Sequence, residues 1–393
     1  MRAAIPLGIY TLITAYLIRE LVVGLALRGG GALAVIIIMI VLASAMPTYL
    51  FLRGRAPRAV QRIIYWVGGL YMAWFLWGLP AALLLDLVRV ASWLTGGWLH
   101  PSFVPRIVLG ILAAMAGAAA YGLVMALRVP RPTRVEITVH DLPRHLDGLT
   151  IAQISDLHIG PVHTASRMRR VARAVEAADA DLIVLTGDQA DGVLHEFELG
   201  VSPLAELRAP LGVLAIHGNH DHYTGAARVA ETLARVGIAT LVNTWQEVAP
   251  GLVVAGLDDP IFVGGDGSAD DLDATLRGLP DDATIILLAH QPNIFPLAAR
   301  RGVSLVLSGH THGGQMWPWG WIVRRFYPYI AGHYHHERSH LYVSRGLGTW
   351  GPPLRLGASP ELPLFVLRRV AALRRPSVHE RAIAQEEAGP PAD

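Results

Sequence analysis

The sequence predicts two architectures in tandem: an α-helical transmembrane domain, then an α/β domain built on short buried strands. Three observations carry this. The first 128 of the 393 residues are almost wholly apolar, whereas the rest alternates and carries charge. Four apolar stretches in that first part reach the roughly 20 residues that a bilayer core demands. After Pro130, short runs rich in Val, Ile and Leu recur with loop or helical segments between them, as in sheets whose strands are buried on both faces.

The four stretches run about Ile9–Leu27, Ala32–Leu52, Ile63–Val88 and Ile107–Arg128. A cleaved leader is single and short, so residues 1–128 are expected to form a four-helix transmembrane domain partnered with lipid. This half holds ten arginines and two acids, net +8, while the remainder is net −6. The basic excess therefore belongs to the membrane half and offers no argument for nucleic-acid binding. Arginines gather between the second and third spans (Arg53, Arg55, Arg58, Arg62) and after the fourth (Arg128, Arg131, Arg134). Positive-inside bias predicts a multi-pass protein of the inner or cell membrane with both termini and the second domain in the cytoplasm. Arg19 and Glu20, near the middle of the first span, are expected to neutralise each other between helices. The chain has no cysteine, which excludes disulfides and thiolate metal ligands.

Residues 129–148 read as a linker and a first strand, 149–370 as the second domain, and 371–393 as a polar, disordered tail. Strands are expected at 149–155, 181–187, 212–218, 252–258, 283–290, 303–310, 340–346 and 362–370. Helices are expected at about 164–178, 225–236, 270–278 and 293–301.

Chemistry-bearing residues follow five of these strands in succession. They are Asp156-Leu157-His158, then Gly187-Asp188 with Asp191, then Gly218-Asn219-His220-Asp221, then His290, and finally Gly309-His310-Thr311-His312. Ligands of α/β sheets collect outside the carboxyl ends of strands, where distant segments converge. A mixed set of Asp, Asn and His without sulfur suits Mn²⁺, Fe²⁺/Fe³⁺ or Zn²⁺. In an extended or tightly turned segment residues i and i+2 point the same way, so Asp156/His158 and His310/His312 can each offer two groups to one cavity. Nearby glycines allow close backbone approach.

"ISDLHIG", "TGDQAD", "HGNHDH", "AHQP" and "SGHTHGGQ", in that order over residues 149–350, resemble the calcineurin-like metallophosphoesterases. With the amino-terminal spans and "VSRGLG", the chain looks most like the family's bacterial membrane-associated branch, which includes phosphodiesterases and UDP-diacylglucosamine hydrolases. The resemblance implies a four-layer αββα sandwich holding two divalent metal ions. Carried over by position, Asp156, His158 and His312 would bind one ion, Asn219, His290 and His310 the other, and Asp188 would bridge them. The implied reaction is hydrolysis of a phosphodiester or pyrophosphate bond by a hydroxide shared between the ions. His220 would protonate the leaving oxygen, and Asp191 and Asp221 would orient imidazoles. Lipid-linked and soluble phosphoesters both remain open as substrates, and a non-catalytic membrane scaffold is the alternative from another class.

Other residues invite weaker readings. Arg345 follows a strand and is a candidate phosphate contact. His163, His217 and His222 flank the motifs without fitting the ligand pattern, and His333, His335 and His336 read as a polar loop. Residues 315–330, "QMWPWGWIVRRFYPYI", combine tryptophan with arginine as membrane-interface segments do.

Overall fold

The computed structural model describes residues 4–259, 269–280 and 282–370. It opens with four helices, α1 (Ala4–Gly24), α2 (Gly29–Leu52), α3 (Arg58–Leu94) and α4 (Val104–Leu127). All four are long and apolar enough to cross a membrane. Three agree with the expected spans to within about a turn, but α3 runs 37 residues. Charge at Arg62 and Arg89 suggested its ends, yet a helix tolerates exposed arginine and stops where backbone geometry fails. Here that means Pro57 before it and the left-handed Gly96 and Gly97 after it. At 1.5 Å per residue α3 is about 55 Å long, against roughly 30 Å of hydrocarbon.

Within the bundle Gly68 of α3 lies so close to α2 that an added Cβ would stand 2.8 Å from the Met46 nitrogen. Glu20 is buried, and its carboxylate meets both Arg19 and Arg89. Arg89 also reaches Asp86 at 2.8 Å. The neutralisation expected within α1 therefore extends to α3.

The remainder forms two six-stranded sheets. The first contains β1 (Pro132–His140), β2 (Thr150–Ile154), β3 (Leu182–Thr186), β4 (Val213–Ile216), β5 (Ala239–Thr240) and β12 (Leu362–Val370), in the order β1-β12-β2-β3-β4-β5. The second contains β6 (Thr244–Ala249), β7 (Leu252–Leu257), β8 (Thr284–Ala289), β9 (Leu305–Ser308), β10 (Gly332–His336) and β11 (Ser339–Val343), in the order β10-β11-β9-β8-β7-β6. Alternation along the strands builds three cores. Ile151, Val184 and Ile216 face Val254, Ile286 and Leu307 between the sheets. Ala152, Ile154 and Leu185 turn outward beneath α5 (Ala165–Glu176), α6 (Leu194–Val201) and α8 (Ala226–Arg235). Leu287, Val306 and Leu341 pack under α9 (Ala269–Thr275) and α10 (Phe295–Arg300). The result is the αββα sandwich that the resemblance implies.

The expected helices at 164–178, 225–236, 270–278 and 293–301 are α5, α8, α9 and α10. Helices α6, α7 (Asn219–Thr224) and α11 (Gly320–Phe326) were not expected, α7 because it begins on the motif residue Asn219 and α11 because it lies in the stretch read as a membrane-interface segment. β1 begins inside the expected linker, four residues past α4, and pairs in parallel with β12 along its whole length. The expected disordered tail, 371–393, lies outside the described residues.

The sandwich rests against the helices. Gly69 of α3 meets Pro353, Gly122 of α4 meets Arg355, and Trp77 Nε1 donates to the Trp317 carbonyl at 2.8 Å. At the helix ends Arg58 approaches Glu196 at 3.7 Å, and the Arg128 carbonyl accepts from Arg167 at 3.2 Å.

Candidate metal centre

β2, β3 and β4 run parallel in one sheet, and β8 and β9 run parallel in the other. The loops at their carboxyl ends supply every residue of the expected constellation. Asp156, His158 and His312 form one group, and Asp188, His290 and His310 a second, each with ligand atoms within 4.8 Å of one another. In the first group His312 Nε2 stands 3.1 Å from His158 Nε2 and 3.4 Å from Asp156 Oδ1. In the second, Asp188 Oδ2 is 3.3 Å from His290 Nε2, and His310 Nδ1 is 2.9 Å from Asn219 Oδ1. Asp188 Oδ2 also lies 3.6 Å from His158 Nε2, so one carboxylate touches both groups. Asp156, His158, Asp188, His290 and His312 are buried.

The backbone explains how neighbouring residues share a target. Asp156 (φ 52°), His158 (φ 45°), Asp188 (φ 55°), His310 (φ 70°) and His312 (φ 50°) all adopt the left-handed conformation. Of the two geometries considered for the i, i+2 pairs, the tight turn is the one present. Each such non-glycine residue costs roughly 1–2 kcal/mol, strain of the kind that gathers at functional sites. Gly218 and Gly309 serve close approach: a Cβ on the first would collide with the Asp188 carboxylate, and on the second with Ser155 Oγ and the Asp156 carboxylate.

Several imidazole nitrogens point at one another. His158 Nε2 faces His312 Nε2, and His310 Nδ1 faces His290 Nε2 at 3.3 Å. His290 Nδ1 lies 2.8 Å from the Thr186 carbonyl and donates there, which turns Nε2 toward Asp188; against the effect of burial, the Asp188 and Asp156 carboxylates hold this imidazole well above its usual range. The second nitrogen of His310 is held by the Tyr327 hydroxyl at 2.7 Å. Burial, then the neighbouring His158, pushes His312 well below the usual imidazole range. Burial and His290 push His310 down to about 3. Burial thus keeps His310 and His312 neutral beside buried carboxylates, and a divalent cation would displace the proton of His290, so these residues fit a centre of two such ions.

His220 lies at its edge. Its ring meets that of His158 edge-on at 4.7 Å, and its Nδ1 is 3.4 Å from Asp191 Oδ1. Burial lowers the affinity of His220 for a proton, but the Asp191 contact and the charges of Asp188, Asp191 and Asp221 raise it to about 8. Asp191 Oδ1 also stands 3.8 Å from His158 Nδ1, beyond hydrogen-bond reach. Asp221 differs from expectation. As the third residue of α7 it reaches back to the Gly218 N–H at 2.9 Å and accepts from the Ala190 N–H at 2.9 Å. It thus braces two loops through their backbones.

Arg345 is held by Glu361, which accepts from its backbone N–H at 2.7 Å and from Nε at 3.0 Å. Sequence reading missed Arg355, which is fully buried and donates to the carbonyls of Gly348, Ala358 and Arg345. Its Nη2 lies 3.2 Å from His312 Nδ1. Nothing in its surroundings in sequence marks it, and the same holds for Tyr327 and Glu361. His163 is buried against Thr349, His217 and His222 both meet Asp258 Oδ1 at 3.0 Å, and His333 stacks on His340.

Residues 149–314 match the family model of the calcineurin-like phosphoesterases. A metallophosphoesterase of Bacillus subtilis is 36% identical over 277 residues, 66% of this chain and 95% of that protein. Another from Aquifex aeolicus is 33% identical over 272 residues, 65% of this chain and 98% of that protein. A transmembrane protein with metallophosphoesterase domain from Danio rerio is 34% identical over 280 residues, 68% of this chain. This chain spans 64% of the length of that last relative. Seven donors gathered at the carboxyl ends of five strands, and two bacterial relatives matched over nearly their whole length, lead to one conclusion: the chain belongs to the calcineurin-like phosphoesterases.

Proposed function

We propose that the protein is a multi-pass membrane hydrolase that cleaves a phosphodiester or pyrophosphate bond in a lipid-linked substrate. Asp156, His158 and His312 would hold one divalent cation, Asn219, His290 and His310 the other, with Asp188 between them. The meeting of both groups at Asp188 carries this reading. When bound, a pair of Mn²⁺, Fe or Zn²⁺ ions offsets phosphate charge and makes hydroxide available at neutral pH.

The side chains do the rest. Asp191 holds the Nδ1 side of His220, which leaves Nε2 to give its proton to the departing oxygen. Tyr223 and Trp350 flank that ring at 5.4 and 6.1 Å and narrow the approach of water. Arg345 is already paired with Glu361, and the proposal does not require it to touch phosphate.

Placement at the cytoplasmic face is supported by Arg58 and Arg128, which lie at the helix ends that meet the sandwich. A lipid-linked substrate is supported by Trp317, Trp321, Ile322 and Phe326, which are exposed on the segment joined to α3 through Trp77. The test is elemental analysis of the full chain with a hydrolysis screen of bis-p-nitrophenyl phosphate and lipid pyrophosphates, with and without chelator. Two cations per chain and chelator-sensitive turnover are expected. Bound metal without hydrolysis of either class would favour a scaffold.

A further inference from the structure

Beside His312 the sandwich and α3 frame an open-mouthed cavity of about 310 Å³, within the roughly 300–1,000 Å³ typical of ligand sites. Met72 and Leu76 of α3 form one wall, and Met316, Trp319, Ile322 and Val323 the opposite one. Its inner end is lined by Thr311 and His312, the latter in the first ligand group. Trp350 lines it as well and stands 6.1 Å, ring to ring, from His220. The cavity is therefore apolar along its length and touches the reacting site at one end.

The outer wall continues into exposed Trp317, Trp321 and Phe326, so the way in runs along α3 from the lipid side.

Building on the lipid-linked reading above, we infer that this cavity receives one acyl chain of the substrate, with its phosphoester at the metal centre. The chain acts as a positioning handle, since apolar burial draws the substrate in while the phosphorus lies beside His312. Bilayer lipid without a phosphoester would meet the same walls but leave the inner end unfilled.

The experiment uses the full chain in nanodiscs with two probes. The first is a series of alkyl p-nitrophenyl phosphodiesters from ethyl to octyl, for which kcat/KM should rise about four-fold per methylene. Leu76→Trp, which fills the cavity, should flatten that rise. The second probe is a dodecyl phosphate bearing a diazirine at its tail, read by peptide mapping without any need for turnover. Labelling of Met72, Leu76 or residues 316–323, displaced by unlabelled dodecyl phosphate, supports the inference. Labelling confined to outward residues such as Leu83 and Leu84 overturns it, as does a chain-length series with no slope. Failure to cleave any probe, with the cavity still labelled, would overturn the hydrolase reading and leave a lipid-phosphate binding site.

Discussion

Tyr65, on the third apolar helix, donates a 3.0 Å hydrogen bond to Asp191 Oδ2, the carboxylate whose other oxygen faces His220 and His158. Two residues 126 positions apart thus join the helical part to the edge of the metal centre. Tyr65 is buried and braced edge-on by Tyr49 of α2 at 4.9 Å, so the contact is held from both sides. Tyr65→Phe should lower kcat about five-fold, the worth of a hydrogen bond of roughly 1 kcal/mol, with metal content retained. Steady-state kinetics beside elemental analysis reads this, and parental kcat in the variant would remove Tyr65 from the working site.

His220 supplies a pH prediction. A proton affinity raised to about 8 keeps it protonated at neutral pH and lets it lose the proton as pH rises through that value. Activity that needs the acid should therefore fall on the alkaline side. Asp191→Asn removes the group that raises it, so the limb should move to lower pH in a profile of bis-p-nitrophenyl phosphate hydrolysis. A limb that stays in place would assign it to another group.

Holding metal and moving protons should separate by mutation. Asp188→Asn weakens a group that touches both clusters and should lose bound cation. His220→Ala should keep it and lose about 10²–10⁴ in kcat. Equal metal loss in both variants would contradict that division.

Gly218→Ala places a Cβ against Asp188. Because the Asp188 backbone nitrogen lies equally near, rotation of a side chain cannot relieve the clash. Cation affinity should fall steeply in a chelator competition titration. Gly212→Ala, where nothing lies within 4 Å but φ is 97°, should affect stability alone.

Arg355→Met removes the guanidinium that serves three buried carbonyls. Unmet acceptors cost roughly 1–3 kcal/mol each, so the melting temperature should fall well beyond that of a typical surface variant. A melt unchanged from the parent would mean that the loop re-pairs without it.

The gathering of the candidate ligands was legible because a parallel strand delivers whatever follows it to one edge of the sheet, so Asp156, Asp188, Asn219, His290 and His310 could be expected to converge. The layering was legible for the same reason, through short runs buried on both faces. Partners drawn from unrelated segments were not. Tyr65 looks like any tyrosine in an apolar helix, and Arg355 sits among residues without periodicity. Asp221 was expected to face an imidazole, but its place in the first turn of α7 turns it toward backbone N–H groups instead. The extent of α3 was hidden because charge was taken as its limit, whereas proline and glycine set it.

That extent makes α3 a ruler. Its surplus of about 25 Å over the hydrocarbon layer matches the stretch from Arg58 to about Trp77 along which the sandwich is fastened. In the proposed membrane arrangement the candidate metal centre would be held at one altitude above the bilayer. Bonds at headgroup height would then come within reach, and those far out on long soluble heads would not.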